Sequence, residues 1–379
     1  MADKSVPAAA RVYLRPAGLD PTPGPGRLPL AGGAVFFSLL DLAVRDPAGA
    51  IVARWHGPVA AFEADALASL PEPVAAAARA RLATLQAPRP ALALGSGSLG
   101  SGALSLDRPR VMGIVNVTPD SFSDGGRYDS VDAAVAHGRA LREAGADILD
   151  IGGESTRPGA AAVPLDEERR RVLPVVERLA ADGAAISVDT RRAAVMAEAV
   201  AAGAAMINDV SGLTHDPDAL ATAAGLDVPV CVMHHRGTPA TMQDDPRYDH
   251  VRFDVFDWLA ERLDALLAAG VRADHVVLDP GIGFGKTVGH NLDLIHGLAL
   301  YHGLGPALLL GASRKRFIGA LSRDEPADRR LGGSLAAVLA GAERAVQLFR
   351  VHDVAETVQA LAVARAVHGA DGEAPMPAG

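Results

Sequence analysis

An α/β chain built as a parallel (β/α)8 TIM barrel, with a small α+β N-terminal extension ahead of it, is predicted by three observations. From Arg110 onward, apolar runs of strand length alternate with alanine-rich helical stretches. There are eight such units, the number that closes a barrel. Polar and charged residues gather where the strands end, which is the face on which parallel barrels carry their chemistry. A doubly wound open sheet also alternates strand with helix, and alternation alone does not exclude it.

The expected strands are Val111–Val117, Asp147–Gly152, Ala185–Asp189, Met206–Val210, Val230–His234, Val276–Asp279, Ala307–Gly311 and Gln347–Val351. The helices between them are read at Val131–Ala144, Leu165–Ala181, Arg191–Ala201, Pro217–Ala224, Val251–Ala269, Asn291–Tyr301, Ser334–Arg344 and Val354–Val367. Several of these stretches run into Gly145, Gly203, Gly225 or Gly270, which suits a helix C-terminus because glycine tolerates the left-handed conformation there. The strand ends then place Asn116, Glu154, Asp189, Asn208 with Asp209, His234 with His235, Asp279, Ser313-Arg314-Lys315 and Arg350 with His352 around one mouth.

Residues 1–88 follow no βα rhythm and read as an accessory extension, residues 89–368 as the barrel, and 369–379 as a C-terminal tail. In the extension, Ala34–Val44 and Ile51–Trp55 read as a strand pair about the turn Asp46–Gly49. Ala60–Leu85 reads as helix interrupted near Pro71 and Pro73. Two alternating segments, 91–94 and 103–106, read as a hairpin able to plug the barrel floor.

A net charge of −9 argues against a nucleic-acid partner, so any bound anion must be caught by a local basic cluster. No apolar stretch is long enough to span a bilayer, and residues 1–11 lack a signal-peptide pattern. The expectation is a chain without membrane attachment that acts in the cytoplasm. The single cysteine, Cys231, lies in the apolar run 228–233 and reads as packing rather than as a nucleophile.

Four motifs carry chemistry. Asp189 and Asp279 end the third and sixth strands. Two carboxylates at one mouth suit either acid–base work or a ligand with a row of N–H donors, to which Asn208 adds an amide. The run from Gly281 to Thr287 resembles a nucleotide P-loop, but Pro280 stands where that loop needs glycine. The run instead lets backbone approach a planar ligand, with Phe284 offering a ring face. His234 and His235 are neighbours on a strand and point to opposite faces, so they do not read as a pair of metal ligands. Finally, Arg314, Lys315 and Arg316 after the seventh strand and Arg350 and His352 at the eighth form an anion subsite of the kind barrels place there.

Two polar loops complete the pattern: Val115–Gly126 pours off the first strand, and Gly152–Gly159, with Glu154-Ser155-Thr156-Arg157-Pro158, off the second. With the six later motifs in order, these loops resemble the dihydropteroate synthase family over about residues 91–368. The resemblance implies condensation of hydroxymethyl-dihydropterin pyrophosphate with p-aminobenzoate, releasing pyrophosphate on the route to folate. It carries pterin binding onto Asp189, Asn208, Met233, Asp279, Phe284 and Lys315, and pyrophosphate binding onto Asn116, Thr156, Arg157, Arg350 and His352. It assigns Asn116 to Mg²⁺ and the p-aminobenzoate pocket to Phe122, Thr156, Pro158, Lys315 and Arg316. Arg316 stands where some relatives carry a small hydroxyl residue, which leaves the carboxylate contact open. The first two loops are expected to close over the site, and a homodimer is expected through late helices such as Ser334–Ala345. Two other readings share the Asp–Asn–Asp pocket: a corrinoid-linked methyltransferase, against which both loops and the lack of a cobalamin motif count, and a non-catalytic pterin-binding paralogue. The sequence also predicts that a chain beginning near Arg89 keeps catalysis, because the extension holds none of these motifs.

Overall fold

The computed structural model describes residues 6–33, 35–94, 102–117, 127–155, 163–237 and 241–368. The extension is a four-stranded antiparallel sheet and a helix. Its strands are β1 (Arg11–Asp20), β2 (Leu28–Leu30), β3 (Val35–Arg45) and β4 (Ile51–Pro58), with β3 paired to the other three. The expected β3–β4 pair is present. Strand β1 was not foreseen, because Pro16 and Gly18 break its apolar pattern, yet it pairs with β3 along most of its length. The stretch read as one interrupted helix is a short 3₁₀ and π segment over 59–67 followed by α1 (Glu72–Gln86). Pro71 and Pro73 set that boundary, since proline fits the first turn of a helix and not its interior.

The floor hairpin forms as β5 (Leu92–Ala93) paired with β6 (Ala103–Leu104). Eight parallel strands then close the barrel: β7 (Arg110–Asn116), β8 (Ile148–Gly152), β9 (Ile186–Asp189), β10 (Met206–Asp209), β11 (Val230–Met233), β12 (Val276–Asp279), β13 (Ala307–Leu310) and β14 (Leu348–Val351). The closed ring, with β14 paired to β7, decides against the open sheet. The intervening helices are α2 (Arg127–Glu143), α3 (Leu165–Ala181), α4 (Ala193–Ala201), α5 (Ala219–Gly225), α6 (Val251–Ala268), α7 (Val288–His296), α8 (Leu298–Tyr301), α9 (Arg316–Ala320), α10 (Leu331–Ala342) and α11 (Val354–His368). Where one helix was expected over 291–301, α7 and α8 meet at Gly297.

Strand parity sorts the core into two layers. Outward residues such as Val115, Ile151, Val188, Ile207, Val232, Leu278 and Phe349 join the helices in one apolar cluster. Inward residues Met112, Ile148, Met206, Cys231, Val277, Leu309 and Leu348 form a second cluster with Leu92, Leu94, Leu104 and Leu106 of the hairpin. The hairpin therefore stoppers the barrel at the strands' N-terminal ends, and Cys231 is a fully buried packing residue. Two residues further along four of these strands, the same inward face turns polar. Ile148 gives way to Asp150, Met206 to Asn208, Val277 to Asp279 and Leu348 to Arg350. The period of two thus builds an apolar plug beneath a charged mouth.

Candidate active site in the barrel mouth

Arg350 organises the mouth. Its Nε donates to Asp150 Oδ2 at 2.6 Å and its Nη2 to Asp189 Oδ2 at 2.7 Å, while Asn208 Nδ2 donates to the same Asp150 oxygen at 3.0 Å. These residues stand on four different strands, so closure of the barrel is what brings them together. Asp150 is fully buried, and its Oδ1 has no hydrogen-bond partner among the described residues. Sequence reading missed Asp150, having taken Glu154 as the acidic residue after the second strand. The available signal was parity: Asp150 lies two residues beyond inward-facing Ile148.

Burial pushes the Asp189 carboxyl up to about 7, against the opposing pull of Arg350. Burial also raises Asp279, which Lys315 then partly holds down. The Lys315 ammonium is itself lowered to about 8 by desolvation, with Asp279 opposing the shift. Gly311 marks the space these groups share. A Cβ placed there would lie 3.6 Å from Asp279 Oδ2 and 3.9 Å from both Lys315 Nζ and Arg350 Cβ. Met233 sits beside Asp279 in register and walls the mouth.

The glycine run after β12 is tied down on three sides. Gly281 N–H donates to Asp279 Oδ1 at 2.7 Å, Gly283 N–H to Asn291 Oδ1 at 2.7 Å, and Gln243 Nε2 to the Gly283 carbonyl at 2.7 Å. Gly281 has a φ of +71°, and a Cβ there would collide with the His234 carbonyl, so this position requires glycine. Lys286 is the buried staple of the loop. Its Nζ lies 2.9 Å from His234 Nδ1 and donates to the Phe284 carbonyl at 3.0 Å. Burial holds both Lys286 and His234 well below their usual ranges. The lysine that resembles a phosphate-binding residue in sequence is thus a structural one. Phe284 offers its ring face as expected, but in this structure the Lys315 ammonium occupies it, 4.6 Å from the centroid, while also donating to the Ile282 carbonyl.

The basic run after β13 does not act as a unit. Arg314 turns away to pair with Asp353, Arg316 is exposed at the start of α9, and only Lys315 enters the mouth. His352, just past β14, has its Nδ1 3.0 Å from Ser313 Oγ. Nor do Asn208 and Asp209 act together. Asp209 has the opposite parity and accepts from Ser211 N–H at 2.6 Å and Leu213 N–H at 3.1 Å, pinning the following turn. Glu154 is likewise structural, accepting a two-pronged pair from Arg191 at 3.0 and 3.1 Å.

Asn116 stands half-buried at the end of β7. No cluster of three His, Cys, Asp or Glu side chains suited to a metal exists among the described residues. The expected sites Phe122, Thr156, Arg157 and Pro158 lie outside the described residues.

Residues 112–352 match the family described as "Pterin binding enzyme". The dihydropteroate synthase of Escherichia coli K12 is 47% identical over 265 residues, covering 70% of this chain and 93% of that one. That of Bacillus subtilis is 47% identical over 249 residues, 65% of this chain and 85% of that one. Among solved structures, Xanthomonas albilineans dihydropteroate synthase with 4-aminobenzoic acid superposes with a TM-score of 0.69 at 52% identity, covering 74% of this chain and 99% of that one. The same enzyme in complex with 7,8-dihydropteroate gives a TM-score of 0.67 at 49% identity over the same shares of each chain. The barrel, its charged mouth and these similarities together place the chain in the pterin binding enzyme family, among the dihydropteroate synthases.

Proposed function

We propose that this chain joins hydroxymethyl-dihydropterin pyrophosphate to p-aminobenzoate, forming dihydropteroate and releasing pyrophosphate. The observation that carries this reading is the convergence of Asp189, Asn208, Asp279 and Lys315 around one mouth with Arg350. A pterin presents an amino-pyrimidinone edge of N–H donors, and the buried carboxylates of Asp189 and Asp279 accept them while the Asn208 amide supplies an acceptor and a donor. Lys315 leaves Phe284 for a ring acceptor when the pterin enters, which frees the phenyl face for the ring.

Pyrophosphate lies at the Arg350 and His352 end of the mouth, where the Arg350 guanidinium favours the charge that develops as the C–O bond breaks. The carbon left behind shares positive charge with the electron-rich pterin ring, and the arylamine nitrogen attacks it. An arylamine is already nucleophilic and gives its proton to water afterwards, so no strong general base is required of the chain. We assign Mg²⁺ to Asn116. An amide oxygen at a strand end suits an ion held mostly by substrate phosphates and water. Bound there, Mg²⁺ would neutralise charge on the departing pyrophosphate. We assign Phe122, Thr156 and Pro158 to the p-aminobenzoate side, and Arg157 with Thr156 to the pyrophosphate. Arg316, exposed at the helix start, is available to the p-aminobenzoate carboxylate only from the rim.

The test is incubation of the full chain with the pterin pyrophosphate, p-aminobenzoate and Mg²⁺, following pyrophosphate release and dihydropteroate. Both products should appear and should stop in excess chelator. No product with Mg²⁺ present overturns the activity, and undiminished turnover in chelator overturns the metal.

We also infer a homodimer acting in the cytoplasm. The last helices support the pairing: Val363 and Val367 on α11 are 58% and 67% exposed, an apolar stripe beside the small-residue helix α10. Sedimentation at micromolar concentration should show twice the chain mass, and a monomer alone overturns the pairing.

A further inference from the structure

The extension meets the barrel through α1 and through the sheet face that carries Tyr13, and one end of the sheet junction is an open cleft of about 350 Å³. Cross-strand register puts Arg15 opposite Asp41, Asp41 opposite His56, and Arg54 opposite Ala43. Residues opposite one another or two apart on a strand share a face, so Arg15, Asp41, His56 and Arg54 all stand on the barrel-facing side. At the other end of this face the charges are balanced. Tyr13 and Arg11 bond Asp257, and Arg45 pairs with Asp254 at 2.8 Å.

At the cleft end the balance fails. Asp41 is the one acid in the lining, and it is already taken by Arg15 and by the His56 imidazole at 2.5 Å. Arg54 and Arg252 also line the cleft and have no carboxylate partner among the described residues. The Nε of Arg252 and the Nδ1 of His250 are buried and lack a hydrogen-bond partner among the described residues. Orphaned polar atoms of this kind cost free energy unless something fills the site. Arg252 stands on the first turn of the 18-residue helix α6, where Asp254 already accepts from the His250 N–H at 3.0 Å and pairs with Arg45, so Asp254 is not free to neutralise Arg252. His250, at the start of α6, lines the same cleft as Arg54 and Arg252, and burial, followed by the charges of Arg252 and Arg54, pulls its imidazole below the ordinary value, with Asp254 opposing.

We propose that this cleft is a second binding site, separate from the barrel mouth, for a small organic oxyanion held between the guanidinium groups of Arg54 and Arg252. The size fits a metabolite rather than a macromolecule. Phosphate esters and polycarboxylates offer the same chemistry to an arginine fork. None of the cleft residues belongs to the mouth, so the site stands whether or not the reaction assigned above is correct.

Calorimetric titration of the full chain with inorganic phosphate, adenosine 5′-monophosphate and citrate tests this and separates phosphate from carboxylate recognition. At least one probe should bind with a Kd of about 1 mM or tighter. Arg54→Glu and Arg252→Gln should each weaken that binding about tenfold or more, whereas in Arg350→Gln, which removes the mouth's own anion site, binding at the cleft should persist. Arg54 is exposed, so its replacement carries the test even where Arg252→Gln fails to fold. Absence of binding by all three probes overturns the site. Binding that survives Arg54→Glu, or that disappears in Arg350→Gln, also overturns it by placing the anion elsewhere.

Discussion

Asp150, Asp189 and Asp279 are three buried carboxylates with different work to do. Asp150 fixes Arg350 and Asn208, Asp189 shares Arg350, and Asp279 faces Lys315. Asp189→Ala and Asp279→Ala should each weaken pterin binding by at least about 2 kcal/mol, because ring donors lose a buried acceptor. Titration calorimetry with a pterin measures this, and wild-type affinity in both variants would place the ring elsewhere. The same residues predict a pH profile. With Asp189 raised to about 7 and Lys315 lowered to about 8, both are charged only between those values. Below the window Asp189 gains a proton, and above it Lys315 loses one. A plot of kcat/KM, which reports the free enzyme, should be bell-shaped with limbs near those values, and Lys315→Arg should carry the alkaline limb upward. A flat profile from about pH 6 to about pH 9 contradicts these assignments.

At the scale of elements, the hairpin β5–β6 shows how parts of the chain far from the mouth still support it. Leu92 is 1% exposed and closes the floor beneath Met112, Met206 and Leu348. Leu92→Ala should cost about 2–4 kcal/mol in urea unfolding, with the pterin Kd unchanged, since the cavity opens at the opposite end from the ligand. A shift in Kd as large as the stability loss would mean that floor and mouth are coupled. The long helices were legible from their periodicity: α3 matches its expected span because Val172, Val175, Val176 and Leu179 recur at helical spacing. The extension was read only in part, since β1 is held by its partner strand and not by its own pattern.

For the whole molecule, the extension proves to be part of the core. Tyr13 stacks on Phe253 with centroids 4.1 Å apart and bonds Asp257, Arg81 lies 4.9 Å from the Phe256 ring centroid, and Arg89 donates to the His302 carbonyl at 2.7 Å. Nearly all of the Escherichia coli relative is taken up by 70% of this chain, which leaves it no counterpart to this layer. A chain beginning at Arg89 keeps every described mouth residue but bares Phe253 and Phe256. It should therefore retain kcat within a few-fold while melting at least about 5 °C lower, as read by circular dichroism and pyrophosphate release. A folded but inactive truncated chain would show that the extension contributes to catalysis.

The sequence by itself determined the eight βα units and the polar residues at their strand ends, whereas closure into a barrel rests on the pairing of β14 with β7. Period-two and period-3.6 patterns are local, and the Asp-Pro-Gly and Arg-Pro-Gly loops are contiguous in the chain. Tertiary structure decided which of the polar strand-end residues face inward. Asp150 was recruited, Asp209, Glu154 and Lys286 were turned to structural duty, and the Arg314–Arg316 run was split between an ion pair, the mouth and solvent. The cleft beside α6 was equally invisible in sequence, since Arg54 and Arg252 lie about two hundred residues apart. Their meeting depends on packing between layers, and a charge left without a partner there can be recognised only when every neighbouring side chain has been placed.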